Sequence, residues 1–327
     1  DHRALHRLIR RQRQMCIRDR SYSAPTQYLL WTYNSGYEIK TISISSDGQY
    51  IVEGNFGYKT YLFDKTSSTL LWINISKGNI NSVSISSDGK YIAAGGDDYI
   101  LYVFDKSSTN PIWTYNIFDN IESITISSNG QFIVVGRAVF KILLFKISSS
   151  TPLWTYNAIG QIWTTDISFD GQYIVVRTNS GNIYLFSNSS STPIWTYSAT
   201  GYVKSISISS NGQYFVAGTG GGISFQVIVF NRTSSTPLWT YSAGGDVNSV
   251  SISSDGKYIV AGSDDYKVYL FSLSNSQPLW YYKSNDYITA TTISDNPIYI
   301  AAGGNDNYCL LYTSPSPRDL STSRMPS

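Results

Sequence analysis

The chain has 327 residues, of which 15% are aromatic and 14% charged, with 24 Lys and Arg against 22 Asp and Glu. Both His and both Cys lie within residues 1–20 or 309–327, so residues 21–308 contain neither an imidazole nor a thiol. This composition argues against a Ser–His or Cys–His nucleophile pair and against a Cys- or His-ligated zinc site in that span. No apolar run approaches the roughly 18 residues that a membrane-spanning helix needs.

The two end segments share no pattern with the rest of the chain. Their strings "MCIRDR" and "LLYTSPSPRD" resemble translated sequencing-adapter sequence of the kind found in metagenomic assemblies. We therefore expect non-native, disordered tails over 1–20 and 313–327, and one domain over 21–312. Residues 1–20 and 309–327 hold nine of the 24 Lys and Arg and three of the 22 Asp and Glu, which leaves 21–308 a net charge of −4. Such a span does not predict a nucleic-acid partner.

One pattern repeats along the remaining chain. Its clearest marker is a Trp that returns every 41 residues, with a single spacing of 44 caused by three extra residues in "GTGGGISFQV" at 218–227. We predict that these Trp residues are structural: Trp31, Trp72, Trp113, Trp154, Trp195, Trp239 and Trp280. An Asp-Gly or Asn-Gly pair keeps the same period, from Asp47-Gly48 to Asp255-Gly256, and a degenerate "SDNP" ends the series at 294–297. A fixed period of this length is typical of a repeat architecture.

Each repeat predicts four short strands. In the sixth repeat, "VNSVSIS" (247–253) alternates β-branched residues, "KYIVAG" (257–262) returns after Asp-Gly, and "KVYLF" (267–271) and "QPLWYY" (277–282) follow. The Asp-Gly pair predicts a type I′ hairpin turn, in which both central residues have positive φ. Pro at the start of the fourth run fits an edge strand, where a missing N–H breaks no ladder bond. No segment shows sustained helical periodicity.

The ends of the repeat series predict a closed ring. The chain begins with a lone fourth strand, "QYLLWTY" (27–33), and ends with three strands of a repeat, which together make one composite unit. The predicted fold is all-β: a seven-bladed β-propeller of four-stranded antiparallel blades, closed by strand 27–33 joining the last blade. A single blade cannot bury both of its faces, and closure removes the exposed edges of an open array.

The hairpin "SISSDGKYIVAGS" resembles that of WD-repeat propellers and related bacterial WD-like families. In that family the third strand typically ends in Trp-Asp; here Phe stands in place of the Trp, and Asp follows it only at Phe63-Asp64 and Phe104-Asp105. The fourth strand, "STPLWTY", resembles the Trp-docking repeat of pyrroloquinoline-quinone-type propellers. The resemblance covers nearly all of 27–308 and implies the fold, whereas both families include scaffolds as well as enzymes.

The resemblance also allows a catalytic alternative. Quinone-dependent dehydrogenases with the Trp-docking repeat need a quinone, a Ca²⁺ site and a catalytic Asp, usually on eight blades. Seven blades are counted here and no Asp has a distinctive context, so we expect no enzyme and no cofactor. Paired acids in the loops 95–99, 262–266 and 303–307 could supply the oxygen ligands that Ca²⁺ takes, but solvated loops have the same composition, and we predict no metal site.

Loops that differ between the repeats nominate a binding face. The loops before each first strand and those between the second and third strands vary most, and both sets emerge on the same side of a propeller. One variable position begins each first strand, and aromatic residues enrich the loops around it. The predicted binding residues are Tyr37, Lys40, Tyr58, Glu122, Arg137, Trp163, Asp166, Arg177, Tyr202 and Lys204, with further aromatic surface from Tyr99, Phe118, Phe140, Tyr266 and Tyr287.

Two pairings are predicted at this face. Folding the third hairpin about its turn places Glu122 opposite Arg137, either as a site or as an exposed cross-strand ion pair worth about 0–1 kcal/mol. In the fourth repeat, Arg177 replaces a Gly and would lie opposite Thr164, close enough to Trp163 for cation–π stacking. Trp163 either contacts a ligand or fills a wide gap at the central channel.

The sequence thus favours a non-catalytic, monomeric scaffold that binds a protein partner through its variable loop face. A carbohydrate-binding or cell-surface propeller is an alternative, because the chain is low in charge and rich in Tyr, Ser, Asn and Gly, with glycosylation-type sequons at Asn74, Asn188 and Asn231. A quinone- or metal-dependent enzyme is the second alternative. Without a Cys in 21–308, the cellular compartment stays open.

Overall fold

The computed structural model describes residues 31–294 and 299–306, and the strand course of 309–313. The predicted tails, residues 27–30 of the predicted closing strand and most of the degenerate turn at 294–297 lie outside the described residues. Every regular element in the described part of the chain is a β-strand. None of the described residues belongs to a helix long and apolar enough to cross a membrane.

The strands form seven antiparallel sheets, each following the chain without crossovers. The first two sheets contain β1 Ile39–Ile44, β2 Tyr50–Asn55, β3 Lys59–Asp64, β4 Leu70–Ile75, β5 Ile80–Ile85, β6 Tyr91–Gly96, β7 Ile100–Asp105 and β8 Trp113–Asn116. The next two contain β9 Ile121–Ile126, β10 Phe132–Arg137, β11 Lys141–Lys146, β12 Pro152–Asn157, β13 Ile162–Ile167, β14 Tyr173–Thr178, β15 Asn182–Ser187 and β16 Trp195–Ser198. The last three contain β17 Tyr202–Ile208, β18 Tyr214–Gly220, β19 Gln226–Asn231, β20 Trp239–Ser242, β21 Val247–Ile252, β22 Tyr258–Ser263, β23 Lys267–Ser272, β24 Trp280–Lys283, β25 Ile288–Ile293, β26 Tyr299–Gly304 and β27 Cys309–Thr313.

These bounds confirm the four strands predicted for the sixth repeat, with one shift. The fourth strand begins at Trp280, so Pro278 lies just before it. In the third sheet the equivalent strand starts at Pro152 itself. Both positions fit a residue that cannot donate to a ladder.

The hairpin between the first two strands of each sheet corrects the predicted turn. In the first sheet, Gly48 N donates to Ser45 O at 2.8 Å, so Ser46 and Asp47 are the central residues of the turn. Gly48 has φ +65°, whereas Asp47 does not have a positive φ, and all six Asx-Gly turns repeat this arrangement. The type I′ prediction is therefore wrong, because Gly occupies the left-handed position after the turn. The Asp47 carboxylate accepts from Ser45 Oγ at 2.6 Å and from Gln49 N at 2.9 Å, which holds the loop.

Neighbouring sheets pack face to face through a recurring Gly. Gly54 of β2 lies beneath Ile80 of the next sheet so closely that a Cβ on Gly54 would stand 2.3 Å from Ile80 Cγ2. Gly136 and Ile162 repeat this contact at the same distance. An Ile side chain of one sheet therefore lies directly on the Gly backbone of its neighbour, and the interfaces bury an apolar core whose members are almost all below 9% exposed.

Short hydroxyl side chains of the first strands join the sheets a second time. Ser82 Oγ accepts from Ile124 N at 2.9 Å, and Ser249 Oγ accepts from Thr291 N at 2.9 Å. Each bond runs from one first strand to the backbone of the next. The first strands contact one another in chain order from β1 to β25, which makes them the innermost strands of the array.

The repeating Trp residues clasp each sheet to the next one. Trp154 of the third sheet lies with its ring centroid 5.4 Å from that of Phe186 in the fourth, and its Nε1 donates to Asn188 O at 2.9 Å. The same two contacts recur from Trp72, Trp113, Trp195 and Trp239, each to a Phe and a carbonyl of the following sheet. The Phe that stands where WD repeats carry Trp is thus the partner of this clasp.

Six sheets have four strands, and the seventh, β25–β26–β27, has three among the described residues. Residues 31–33 are not in a strand, yet Trp31 makes the clasp with the first sheet: its ring lies 5.3 Å from Phe63, and its Nε1 donates to Lys65 O at 2.8 Å. The described residues place 31–33 where a fourth strand of a preceding sheet would lie. They do not show its pairing with β27, so the blade count and ring closure stay predictions.

The Trp clasp predicts that replacing a single Trp side chain strongly lowers the stability of the protein. Trp154→Ala should lower the free energy of unfolding by about 3 kcal/mol, because it removes ring packing and the bond to Asn188 O. Trp154→Phe keeps a ring packed against Phe186 but loses the bond to Asn188 O, and it should cost about 1 kcal/mol. Urea unfolding followed by fluorescence measures both, and equal losses in the two variants would contradict the assigned packing role.

The left-handed position of the hairpin predicts a backbone effect. Gly48→Ala should lower the free energy of unfolding by about 1 kcal/mol, because φ is +65° there. A Cβ on Gly48 would meet no atom within 4 Å, so the loss would come from the backbone conformation alone. Gly222→Ala is the matched control, since its Cβ also meets no atom within 4 Å and its φ lies outside the left-handed range. Thermal unfolding compares the two, and an unchanged Gly48→Ala variant would rule out the strain.

Candidate functional site

A β-bulge interrupts the start of every first strand. In the first sheet Ile39 pairs with Asn55 and Thr41 with Gly54, so Lys40 between them has no partner. The same break occurs in all seven sheets. The unpaired residues, called here the bulge row, are Lys40, Asn81, Glu122, Trp163, Lys204, Asn248 and Thr289. A bulge re-aims its side chain, so a repeated bulge presents seven different side chains from equivalent scaffold positions.

The bulge row coincides with the variable position that the sequence nominated, but the bulge itself was not predicted. The sequence does carry a signal for it, because the spacing of the apolar residues changes at this point: Ile121 and Ile124 are three residues apart, whereas Ile124 and Ile126 are two apart. Because Ile39 pairs with Asn55, the bulge row and the turns between second and third strands lie at the same end of each sheet. This end is called the loop face below.

The predicted Glu122–Arg137 pairing is wrong, because the bulge shifts the register. Arg137 lies opposite Ile121, and its Nε forms an ion pair with Asp119 Oδ2 at 3.5 Å. Its guanidinium also donates to Ile117 O at 2.9 Å. Glu122 is half-buried on the bulge row.

Burial raises the pKa of the Glu122 carboxyl. The negative charge of Asp97 raises it further, and the positive charge of Lys40 opposes the change. Charges from the first, second and third sheets therefore act on one carboxyl at the loop face.

The predicted contacts of Arg177 are confirmed. Arg177 pairs with Thr164 across the strands, and its guanidinium stands 5.3 Å from the centroid of the Trp163 ring. It donates to Thr164 Oγ1 at 3.1 Å and to Val203 O, in the next sheet, at 2.5 Å. Burial lowers the pKa of Arg177 to about 10. Arg177 is 9% exposed and Trp163 42%, so the ring is the accessible member of the pair.

Arg177 performs a task that asparagines perform elsewhere. Asn81 donates to Ile121 O at 3.3 Å and Asn248 to Ile288 O at 3.1 Å, in each case the carbonyl just before a bulge in the next sheet. These asparagines also bind the acidic loops, Asn81 to Asp97 at 2.7 Å and Asn248 to Asp264 at 2.6 Å. The sequence did not predict this role, although both asparagines occupy the variable position at the start of the first strands.

Asp166 lies inside the sheet-to-sheet contact. Its Oδ2 accepts from Ile208 N at 3.0 Å, as Ser84 Oγ accepts from Ile126 N at 3.0 Å in the second sheet. Burial raises the pKa of Asp166 to about 6, and hydrogen bonds from Ile208 N and Ile167 N work in the opposite direction. The carboxylate thus replaces a hydroxyl in the bonds between first strands, away from the exposed loops.

Five aromatic residues at the loop face, in the described part of the chain, have positive φ; one is Phe118, in the loop before β9, and the other four share one position of the repeat. Tyr58, Tyr99, Phe140 and Tyr266, called here the aromatic turn residues, have φ between +56° and +70° and are 37–48% exposed. Each lies just before the third strand of its sheet, and Tyr99 and Tyr266 end a turn like that of the Asx-Gly hairpin, with their backbone N donating to Gly96 O and Ser263 O, respectively. In the Asx-Gly hairpin the left-handed position holds Gly. In the fourth sheet the equivalent residue is Gly181, with φ +82°. A bulky side chain at positive φ is uncommon and costs about 1–3 kcal/mol, which draws attention to these rings.

The other predicted residues lie at the same end. Tyr37 and Tyr202 are 57% and 51% exposed. Lys40 stands 5.5 Å from the Phe56 ring centroid. Lys204 forms an ion pair with Asp246 at 2.7 Å. The loop face therefore combines exposed rings with a few charges of both signs.

The Asp carboxylates of the acidic loops accept hydrogen bonds from other side chains of the chain. Besides the asparagine contacts, Asp98 accepts from the Tyr102 hydroxyl at 2.7 Å, and Asp265 accepts from the Tyr269 hydroxyl. Across the described residues, no three His, Cys, Asp or Glu side chains come together as a metal-ligand set.

Comparison with known families agrees with this geometry. A family model described as outer membrane protein assembly factor BamB matches residues 141–310, and a model described as WD domain, G-beta repeat matches residues 72–105. No curated protein matches the chain. The two family models together show that the chain is a β-propeller repeat protein.

Asp166 predicts a pH-dependent stability difference. Because the pKa of Asp166 is about 6 in the folded chain and 3.8 for an ordinary Asp carboxyl, the destabilisation from burying its charge is full at pH 7 and disappears as the pH falls below 4. Asp166→Ser, which keeps an acceptor for Ile208 N, should raise the free energy of unfolding by about 1–3 kcal/mol at pH 7, and less at pH 4. Asp166→Asn should show the same pH trend. A difference that is constant from pH 4 to 7 in urea titrations would contradict the assignment.

Proposed function

Because the chain belongs to the family of β-propeller repeat proteins described by the outer membrane protein assembly factor BamB model, we propose that it is a non-catalytic scaffold that binds a protein partner through its loop face. The proposal includes a ring of seven blades, in which the strand at 27–33 completes the last blade. The clasp that Trp31 makes with Phe63 and Lys65 supports this closure, because it repeats the contact that each fourth strand makes with the following sheet.

The observation that carries the proposal is the set of aromatic turn residues. Equivalent turns at the other end of the sheets use Gly at the left-handed position, and Gly181 does so at this end. Four rings at that position therefore cost backbone energy that Gly would avoid. Their side chains remain about half exposed, so burial within the chain compensates only part of that cost.

The chemistry of the loop face suits a protein partner. Exposed Tyr, Phe and Trp rings supply contact area with little side-chain entropy to lose, and such rings are enriched in binding hot spots. The bulge row adds Lys40, Glu122 and Lys204, whose mixed signs favour a partner surface of complementary pattern over a uniformly charged polymer. Residues 21–308 contain no His or Cys, which supports binding over nucleophilic catalysis.

Peptide display tests the proposal without knowledge of the partner. A random peptide library is panned on the immobilised protein, and enriched peptides are measured against the triple variant Tyr58→Gly, Tyr99→Gly and Phe140→Gly. We expect at least a tenfold loss of affinity, because the variant removes three rings. Its backbone is relieved of strain at the same positions, so the fold should persist, as circular dichroism will check.

A matched control removes apolar side chains of similar exposure from outer strands. Leu71, Ile112 and Leu153 are 45–49% exposed, and their replacement by Ser should leave peptide affinity unchanged. Peptides that bind the Gly variant as well as the parent, or that are lost only in the outer-strand control, would overturn the proposed face.

A further inference from the structure

Two departures from the repeat meet at one place on the loop face. The first is Gly181, which stands in the fourth sheet where other sheets carry an aromatic turn residue. The second is the three-residue insertion of the fifth sheet, which lengthens β17 and β18 to seven residues each. Between them lies an open cleft of about 300 Å³, lined by Ser180, Ala199, Thr200, Gly201, Tyr202, Gly221 and Gly222.

We infer that this cleft binds a single neutral sugar residue. The inference goes beyond the proposed protein contact and does not depend on it. The volume of the cleft lies at the lower end of the range for small-molecule sites, which fits one pyranose ring better than a peptide segment.

Glycine shapes the cleft on both sides. Gly181 lies directly behind one wall: a Cβ there would be 2.8 Å from the O atom of the lining residue Gly201, so a side chain would crowd that wall. A Cβ on Gly222 would meet no atom within 4 Å, so this residue borders open space. The absent side chains leave the backbone exposed, and backbone groups are hydrogen-bonding partners for ligand hydroxyls.

Tyr202 supplies the apolar surface. The ring is half exposed, and one of its edges lies against Gly221, where a Cβ would stand 2.4 Å from Tyr202 Cδ2. The ring is thus positioned by contact with a glycine and keeps an accessible face. An aromatic face carries partial negative charge and attracts the polarised C–H groups on one side of a pyranose.

The remaining lining residues favour an uncharged ligand. No lining side chain is charged, and the nearest acid, Asp246, accepts from Gly221 N at 2.8 Å and pairs with Lys204 at 2.7 Å. These bonds hold the inserted wall and leave no unpaired charge for an ionic ligand. Ser180 donates to Ile159 O at 2.7 Å, whereas the Thr200 hydroxyl is exposed and forms no hydrogen bond with another described residue.

An apolar side chain of a partner protein is a poorer fit. Ala199 is the single aliphatic side chain in the lining, and the rest is one aromatic ring, two hydroxyls and three glycines. A sugar residue combines an apolar C–H face with polar edges, which matches a wall of one ring and exposed backbone. Uncharged hexoses and N-acetylhexosamines share this chemistry.

Saturation-transfer difference NMR on the full chain tests the inference with methyl glycosides of glucose, galactose, mannose and N-acetylglucosamine. We expect at least one probe to receive saturation with a Kd in the millimolar range. Tyr202→Ala should weaken that probe at least fivefold, and Gly222→Trp should abolish its signal by filling the open side.

Tyr37→Ala is the matched control, because Tyr37 is equally exposed and also lies against a glycine, Gly57, but in the first sheet. It should bind the probe like the parent protein. The inference is overturned if no glycoside receives saturation, or if Tyr202→Ala and Gly222→Trp, both folded by circular dichroism, retain the signal. Peptide binding measured on the same two variants separates this result from the fate of the protein contact.

Discussion

The structure depends on a clasp in which the ring of a Trp in one sheet packs against a Phe of the next sheet, and the Trp donates to a carbonyl beside that Phe. Each sheet is too thin to bury its own faces, so its stability comes from its neighbours. The clasp ties the outermost strand of one sheet to the third strand of another, while Gly–Ile contacts hold the sheets together farther in. Stability is therefore shared along the array, and individual loops are free to differ.

Much of the fold could be predicted from sequence because a constant repeat length identifies the equivalent residues in every sheet. The Trp period located the clasp residues, and alternation within each repeat located the strands to within a few residues. The Asp-Gly pair predicted a hairpin correctly but assigned it the wrong turn, since the two-residue pattern does not reveal that Ser45 opens the turn two residues before Asp47. The strands at the two ends of the repeat series also predict a closed ring, and that closure stays a prediction because the described residues do not show the first strand paired with the last sheet.

The candidate site was less predictable, for a physical reason. A bulge inserts one unpaired residue, and the three-residue step from Ile121 to Ile124 that marks it was not recognised in the sequence. The predicted pairing of Glu122 with Arg137 was therefore out of register, while Arg177 still met Thr164 and Trp163. Asp166 was nominated for its charge, yet the structure gives it the bond that a serine makes elsewhere. The positive φ of Tyr58 and its equivalents is invisible in sequence, except that Gly181 stands at the same position in one repeat.

The hydrogen bonds from hydroxyl side chains between the first strands have a consequence for aggregation. The innermost strand of each sheet is an edge, and an edge with unpaired N–H groups can recruit a strand from another molecule. Ser82 and Ser249 satisfy such groups on the neighbouring edge with a side chain too short to extend a ladder. The chain can thus bring many identical edges together during folding without joining them into one continuous sheet, a safeguard against misassembly and aggregation that a repetitive sequence particularly needs.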